Sequence, residues 1–202
     1  VATLRGFAGN DIVQTALGSL CNLEHRGAVG SDAGTGDGAG ILMQIPHRFF
    51  SEVVHFDLPE AGHYGAGLVF EDTDSSIRED QRRQLEQVLA QEGLKLLGWR
   101  EIESNPDVLG DLAREAMPHI GQVFVAGSEG QSGLELERLL FRARKRSERE
   151  LGLYHPTLSC RTIVYKGMLT TLQLQPFFKD LQDERLESKM ALVHSRFSTN
   201  TF

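Results

Sequence analysis

The spacing of apolar residues predicts a chain in which strands occur in runs, with helices between and outside those runs. Helical spacing predicts helices over residues 10–27, 49–54, 74–93 and 133–151. Alternating or β-branched apolar runs predict strands over residues 41–45, 63–70, 95–102, 119–126, 159–168 and 190–197. Because strands and helices do not alternate one by one, the order favours stacked antiparallel sheets covered by helices over a doubly wound parallel sheet.

Each of the three longer predicted helices carries an apolar stripe that we expect to face a core. Asn10 or Asp11 can cap the first helix, and Gly27 is its predicted stop. The expected inward residues of that helix are Ile12, Leu17, Leu20, Cys21 and Leu23. Those of the two long helices are Ile77, Leu85, Val88 and Leu89, and then Leu136, Leu139, Leu140 and Ala143. All three helices are therefore predicted to lie on the surface of a sheet.

Composition changes this picture little but excludes several classes of protein. The chain has 202 residues, 40% of them apolar, which suits one domain or one large domain cut short. A net charge of −7 argues against a nucleic-acid-binding surface, and no apolar run is long enough to span a membrane. Two cysteines in such a length are not a disulfide framework, which favours a reducing, cytoplasmic location.

A glycine-rich run over residues 30–40 separates the first helix from the first strand. Its letters GTGDGA at 34–39 fit the loose G-x-G-x-x-G/A pattern of dinucleotide-binding proteins. That pattern follows a strand and opens a helix, whereas this run follows a helix and opens a strand. It also lacks the features of a phosphate loop and of a calcium loop. The run is therefore interpreted as backbone that wraps closely around a site.

The candidate nucleophiles and metal ligands are few. Cys21 lies on a predicted apolar stripe and Cys160 within a predicted strand, where a cysteine usually behaves as a small hydrophobic residue. The histidines form no zinc-binding pattern, so no metal site is predicted. The basic run at 142–146 is interpreted as a solvated helix face.

Two segments far apart in the sequence carry the most informative chemistry. LEHRG at 23–27 contains Arg26, and HSRFSTNTF at 194–202 contains Arg196. Two guanidinium groups brought together in a pocket are typical of a carboxylate site, and the hydroxyl of Ser198 or Thr199 could donate a further hydrogen bond. The alternative is that both arginines are solvated surface residues.

Over its whole length the chain resembles the class II (N-terminal nucleophile) glutamine amidotransferases, and within them the glutaminase domains of glutamate synthases. The resemblance rests on the two arginine segments, TGDGAGI at 35–41, GWR at 98–100 and RTIVYKGM at 161–168. The first and last of these three separate the glutamate synthase branch from other class II amidotransferases.

The resemblance implies an α+β fold, a four-layer α/β/β/α sandwich of stacked antiparallel sheets, which is incomplete here. It implies that residues 1–202 form part of an amidotransferase domain, with the nucleophilic cysteine upstream of Val1 and the oxyanion hole downstream of Phe202. In that chemistry a thiolate attacks the side-chain amide of glutamine, ammonia leaves, and water resolves a thioester. Residues 1–202 by themselves are therefore expected to be inactive.

The resemblance also implies roles for individual residues. Arg196 would bind the α-carboxylate of glutamine with help from Ser198 and Thr199, and Phe197 would form a wall of the pocket. Arg26 would order the surroundings of the nucleophile. The residues expected to line the entrance are Gly27, Ser31, Asp32, Asp37 and Gly38. No chemical step is implied for YKG at 165–167.

For the parent enzyme the resemblance implies that ammonia reaches a synthase domain of the same polypeptide, where 2-oxoglutarate is converted to glutamate. That domain would carry FMN and an iron–sulfur cluster. Reducing power would come from NADPH, through a small NADPH-oxidising subunit, or from ferredoxin. No cofactor, nucleic acid or membrane is expected to bind these residues, whose ligand would be L-glutamine.

Two alternatives remain open from the sequence. The chain could belong to another class II amidotransferase, one that makes an amino sugar, a purine precursor or asparagine. It could also be a non-catalytic domain that binds an amino acid or packs against partners, with Arg26 and Arg196 as a carboxylate clamp or as structure. The kind of domain downstream of Phe202 would decide the first alternative, and glutamine binding would decide the second.

Overall fold

The computed structural model describes residues 1–4, 6–24 and 34–195. In chain order its regular elements are α1 (Asn10–Cys21), β1 (Ala39–Gln44), α2 (His47–Val53), β2 (Tyr64–Glu71), α3 (Ser75–Gln91), β3 (Leu94–Glu101), α4 (Asp111–Glu115), β4 (His119–Gly127), α5 (Gly133–Leu151), β5 (Thr162–Gly167), α6 (Leu174–Phe177) and β6 (Ala191–His194). Short 3-10 helices occupy Pro106–Val108 and Lys179–Gln182. The strands form two sheets, and the chain divides into two compact units.

The first unit comprises residues 1–46, 103–117 and 164–202. Its sheet has the strand order β5-β1-β6, so that β1 is central. β1 and β6 are antiparallel, with Gly40 opposite His194 and Met43 opposite Ala191. Helix α1 packs against β6 and β1 through Val13, Ala16, Leu17 and Leu20, which are all buried.

The second unit comprises residues 47–102 and 118–163, and its antiparallel sheet has the strand order β2-β4-β3. Helices α3 and α5 cover one face of this sheet, where Leu85 and Leu140 join Val123 and Val125 in a buried core. Side chains alternate across a strand, so Phe124 lies on the other face, where its ring packs on Phe50.

The observed elements confirm the predicted mixture of antiparallel sheets and helices, and most predicted bounds are within a few residues. Two strands are exceptions. The strand predicted to begin at residue 159 begins at Thr162, and the last strand, predicted over residues 190–197, is the shorter β6. The loop before β1 opens into a strand, as predicted, and not into a helix. The irregular stretch 103–117 contains only one turn of 3-10 helix and the short α4.

Several predictions for the helices are wrong. Helix α1 ends at Cys21, and its predicted stop, Gly27, lies outside the described residues. Cys21 is exposed, because the stripe that faces the sheet runs through Val13, Ala16, Leu17 and Leu20, and Cys21 is turned about 100° from Leu20.

Two other predictions fail because side chains find different partners. Asn10 does not cap α1; its amide Nδ2 donates to the carbonyl oxygens of Asp183 and Leu186, at 3.1 Å and 3.0 Å. Ile77 is 48% exposed, since only Leu85, Val88 and Leu89 of α3 face the core.

The basic run on α5 is more than a solvated helix face. Arg142 and Arg146 lie 2.7 Å and 2.8 Å from the carboxylate of Glu92, whose side chain is only 5% exposed. The two guanidinium groups compensate for burial of this carboxylate at the end of α3. Among the described residues, no helix has both the length and the apolar character needed to cross a membrane.

A second ionic network ties several elements of the second unit together. The guanidinium of Arg82 donates to both carboxylate oxygens of the buried Glu71, at 2.7 Å and 2.6 Å. Its Nη1 also donates to Glu101 at 2.9 Å, and its Cζ lies over the ring of Trp99, 4.3 Å from the ring centroid. The second oxygen of Glu101 lies 2.6 Å from Nε2 of His119. α3 is thereby joined to the strands β2, β3 and β4.

This network predicts a pH-dependent contribution to stability. Burial raises the pKa of Glu101, but the hydrogen bonds from Arg82 and His119 together lower it by more than burial raises it. The net shift of this pKa is therefore downward. A lowered pKa in the folded state stabilises the protein above the unfolded-state pKa, about 4.3, and this contribution is lost as the pH falls through the folded-state value. We expect Glu101→Gln to lower the free energy of unfolding at pH 7, with the difference disappearing in strong acid.

Denaturant unfolding across this pH range measures the effect. Glu103→Gln is the control, since Glu103 and its partner Lys179 are both largely exposed and such pairs contribute little. A constant deficit for Glu101→Gln at every pH would contradict an ionic role for this carboxylate.

Replacing each of two glycines, Gly67 and Gly18, by alanine is expected to change the stability of the protein in opposite directions. A Cβ on Gly67 would collide with the backbone of Thr157 and lie 3.0 Å from Cα of Leu158, whereas nothing lies within 4 Å of a Cβ on Gly18. Gly67→Ala should destabilise the protein by about 1–3 kcal/mol through overpacking. Gly18→Ala, inside helix α1, should stabilise it by about 0.5–1 kcal/mol. Thermal unfolding of the two variants checks both signs, and equal shifts would contradict the packing around Gly67.

Candidate active site

Only part of the predicted site lies in the described residues. Arg26, Gly27, Ser31 and Asp32 lie outside them, as do Arg196, Phe197, Ser198 and Thr199. The predicted site residues within them are Asp37 and Gly38, at the end of the glycine-rich run. The neighbouring segments, residues 34–40 and the strand β6, are fully described and lie in the first unit.

The glycine-rich loop, defined here as residues 34–40, leads directly into β1. Asp37 is exposed and Gly38 is buried, and Gly38 has a φ of +137°, which residues with a side chain rarely adopt. Thr35 is also buried, and its hydroxyl accepts a hydrogen bond from the backbone nitrogen of Ala113 at 3.3 Å. The loop thus presents one acidic side chain to solvent from a buried backbone.

The start of the glycine-rich loop is held by hydrogen bonds to its backbone. The carbonyl oxygen of Gly34 accepts from the backbone nitrogen of Gly110 at 3.0 Å and from Nε2 of Gln173 at 2.7 Å. A Cβ on Gly36 would collide with the backbone of Leu169 and Thr170. Gln173 is not among the predicted site residues, because a single glutamine between two leucines gives no sequence signal.

The end of the glycine-rich loop meets the end of β6. Gly40 lies opposite His194, and a Cβ on Gly40 would collide with the imidazole of His194 and lie 2.7 Å from Cβ of Lys166. Burial, and then the charge of Lys166, lower the pKa of His194, which favours a neutral ring. The fold therefore brings the glycine-rich loop beside the strand that leads, two residues later, to Arg196.

Tyr165 has a structural role in this arrangement. Its side chain is fully buried, its hydroxyl donates to the buried carboxylate of Asp180 at 2.8 Å, and its ring packs edge-on against Phe178. Strand β5 is thereby fixed to the segment that comes after α6.

The first residues of the chain pair with the segment that leads into β6. The nitrogen of Val1 donates to the oxygen of Ala191 at 2.9 Å, and the nitrogen of Ala191 donates back to Val1 at 2.9 Å. Ala2 forms an antiparallel bridge with Met190, and the nitrogen of Thr3 donates to Lys189. The start of the chain thus runs antiparallel beside β6.

Comparison with known proteins identifies the family to which this arrangement belongs. The sequence profile of the class-II glutamine amidotransferases matches residues 1–202, which is the whole chain. The chain belongs to the class II glutamine amidotransferases.

Similar proteins within this amidotransferase family are glutamate synthases. The chain is 46% identical, over 212 residues, to the large chain of an NADPH glutamate synthase of Bacillus subtilis, and covers 14% of it. It is 40% identical to ferredoxin-dependent glutamate synthase 2 of Synechocystis, covering 13% of that protein. It is 38% identical to an NADH glutamate synthase of Saccharomyces cerevisiae, covering 10%. All three alignments include 100% of this chain, which therefore spans about one-seventh or less of each relative.

Cys160 of this amidotransferase chain lacks the surroundings of an activated nucleophile. Burial, and then the adjacent Glu137, raise the pKa of Cys160 to about 12, and its thiol donates to that carboxylate at 3.1 Å. Cys21 is exposed at the end of α1. No group of three or more histidine, cysteine, aspartate or glutamate side chains in the described part of the chain could hold a metal ion.

The contrast between the two cysteines gives a chemical prediction. A thiol reagent at pH 8 should modify exposed Cys21 readily and leave Cys160 unmodified until the protein is unfolded, since only a thiolate reacts. Mass mapping of the modified peptides, before and after addition of denaturant, measures this. Cys21→Ser provides the control, because it should abolish labelling of the native protein. Rapid labelling of native Cys160 would contradict its burial against Glu137.

Proposed function

We propose that the chain is the glutaminase part of a glutamate synthase, which hydrolyses L-glutamine to glutamate and ammonia. The observation that carries the proposal is the meeting of Gly40 and His194, which brings the glycine-rich loop beside the segment that leads to Arg196. The family supplies the reaction class, and the relatives named above supply the parent enzyme.

The pairing of Val1 with Ala191 supports a position for the nucleophile. In an antiparallel pair the partner number rises as the residue number falls, so a residue preceding Val1 in a longer polypeptide would lie beside Leu192. Residues further upstream would run beside Val193 and His194. A cysteine a few residues upstream of Val1 would therefore reach the end of β6, which is the end that continues towards Arg196.

Substrate binding in this proposal belongs to the two arginine segments. Arg196 binds the α-carboxylate of glutamine through paired hydrogen bonds, assisted by Ser198 and Thr199, while Phe197 contacts its aliphatic part. Arg26 orders the surroundings of the nucleophile. Gly27, Ser31, Asp32, Asp37 and Gly38 line the entrance. Oxyanion stabilisation comes from residues of the domain downstream of Phe202.

The ammonia released would pass to a synthase domain of the same polypeptide and there aminate 2-oxoglutarate. We propose FMN and an iron–sulfur cluster as the cofactors of that domain. The electron source would be NADPH, NADH or ferredoxin, and the relatives' names include all three. NADPH would deliver its electrons through a small NADPH-oxidising subunit. The two free cysteines support a cytoplasmic location.

Covalent labelling tests where the nucleophile lies. The full-length polypeptide, treated with an electrophilic analogue of glutamine, should carry one label on a cysteine upstream of Val1. A polypeptide limited to residues 1–202 contains only Cys21 and Cys160, and we expect it neither to be labelled at an active site nor to hydrolyse glutamine. A glutamine-protected label on Cys21 or Cys160 would contradict the proposal.

Replacement of Arg196 tests the substrate site separately. Arg196→Ala in the full-length polypeptide should raise the KM for glutamine about 10- to 100-fold, the usual effect of losing a charge-assisted hydrogen-bonded pair. Arg185→Ala is the matched control, since Arg185 bonds Asp183, two residues away, at 2.6 Å. An unchanged KM in Arg196→Ala would remove this arginine from the site.

A further inference from the structure

We infer that Gln173 is a positioning residue of the glutamine site, whose carboxamide fixes the glycine-rich loop at the entrance. This inference rests on the proposed function, because the loop has a role in glutamine binding only if the site is a glutaminase site. Gln173 lies immediately before α6, in a segment to which neither the sequence motifs nor the family resemblance assigns a role.

The carboxamide of Gln173 makes three short hydrogen bonds to three different backbone segments. Its Nε2 donates to the carbonyl oxygen of Gly34 at 2.7 Å and to that of Val108 at 2.6 Å. Its Oε1 accepts from the backbone nitrogen of Thr170 at 2.8 Å. Both protons of the amide nitrogen and one acceptor site of the oxygen are therefore used.

The segments joined in this way are irregular and cannot fix one another through a sheet or a long helix. The segment around Val108 is the stretch 103–117, whose backbone also bonds Gly34 through Gly110. This stretch is held in turn to the end of α6, where the nitrogen of Asn105 donates to the oxygen of Phe177 at 2.8 Å. Gln173 stands where the glycine-rich loop, residues 103–117 and the start of α6 converge.

Only a side chain that both donates and accepts can satisfy these partners. Glutamate of the same size would accept from Thr170 but would face the carbonyl oxygens of Gly34 and Val108 with a carboxylate instead of a donor. Alanine would leave both carbonyl oxygens without this donor. Either change loosens the start of the loop, which then keeps the bond from Gly110 to Gly34. Ala113 still bonds Thr35, and β1 still holds the end at Gly40.

The expected consequence is a loss of substrate affinity with little loss of turnover. The glycine-rich loop contributes Asp37 and Gly38 to the proposed entrance and none of the proposed reacting groups. An interaction that holds the entrance in place acts on the bound substrate and the transition state alike, so its loss raises KM and leaves kcat nearly unchanged.

The experiment measures glutamine hydrolysis by the full-length polypeptide and its Gln173→Ala, Gln173→Glu and Gln175→Ala variants. Gln175 is a matched control: it is a half-buried glutamine two residues further along, and its Nε2 bonds Gln14 at 2.9 Å without contacting the loop. We expect both Gln173 variants to raise KM about tenfold, the effect of losing one or two partly buried hydrogen bonds. Gln175→Ala should leave KM unchanged.

Hydrogen exchange of the peptide covering residues 34–40, measured by mass spectrometry, gives a readout that does not depend on activity. It should accelerate in both Gln173 variants and not in Gln175→Ala, with the exchange of α3, which belongs to the second unit, unaffected in all three. This result separates release of the loop from general unfolding.

Three outcomes would overturn the inference. The first is a wild-type enzyme that hydrolyses glutamine together with Gln173 variants of unchanged KM. The second is an equal rise of KM in Gln175→Ala, which would make the effect one of general stability. The third is a Gln173 variant with unchanged loop exchange. If the wild-type polypeptide does not hydrolyse glutamine at all, the proposed function fails and this inference fails with it.

Discussion

The close approach of three strands at Gly40 is the constraint around which the first unit is organised. A side chain at this position of the central strand would collide with His194 on one neighbour and with Lys166 on the other. Glycine therefore allows β5 and β6 to flank β1 with their polar side chains gathered at one end of the sheet. The glycine-rich loop enters at that same end, and Arg196 comes two residues after His194.

Irregular backbone near this end is organised by side-chain amides and hydroxyls. Residues 103–117 contain little regular structure, yet Gln173, Thr35 and the backbone of Gly34 each bond a backbone group of this stretch. A buried backbone carbonyl without a partner is costly, so each such contact selects one loop conformation over others. A loop built in this way is ordered by a few specific hydrogen bonds, and the loss of one of them changes the conformation of the loop without unfolding the rest of the unit.

In the second unit, by contrast, carboxylates are buried at a sheet that helices cover. Glu71 and Glu92 are both almost inaccessible, and each is met by guanidinium groups at hydrogen-bonding distance. Because a buried carboxylate without a partner is strongly unfavourable, Arg82, Arg142 and Arg146 are structural residues despite their surface-like sequence context. The aromatic ring of Trp99 under Arg82 adds a second contact to the first of these pairs.

The sequence by itself determined most of the elements and the family. Apolar periodicity located β2, β4, α3 and α5, because burial on one face imposes a period that is readable without partners. The motifs around Arg26, Arg196, residues 35–41 and residues 161–168 identified the family, since those motifs are local. Only the tertiary structure decided that Asn10 bonds a distant loop instead of capping α1, that Cys21 and Ile77 face solvent, and that Gln173 joins three segments. Each depends on a partner far away in sequence, and nothing in a local pattern specifies that partner.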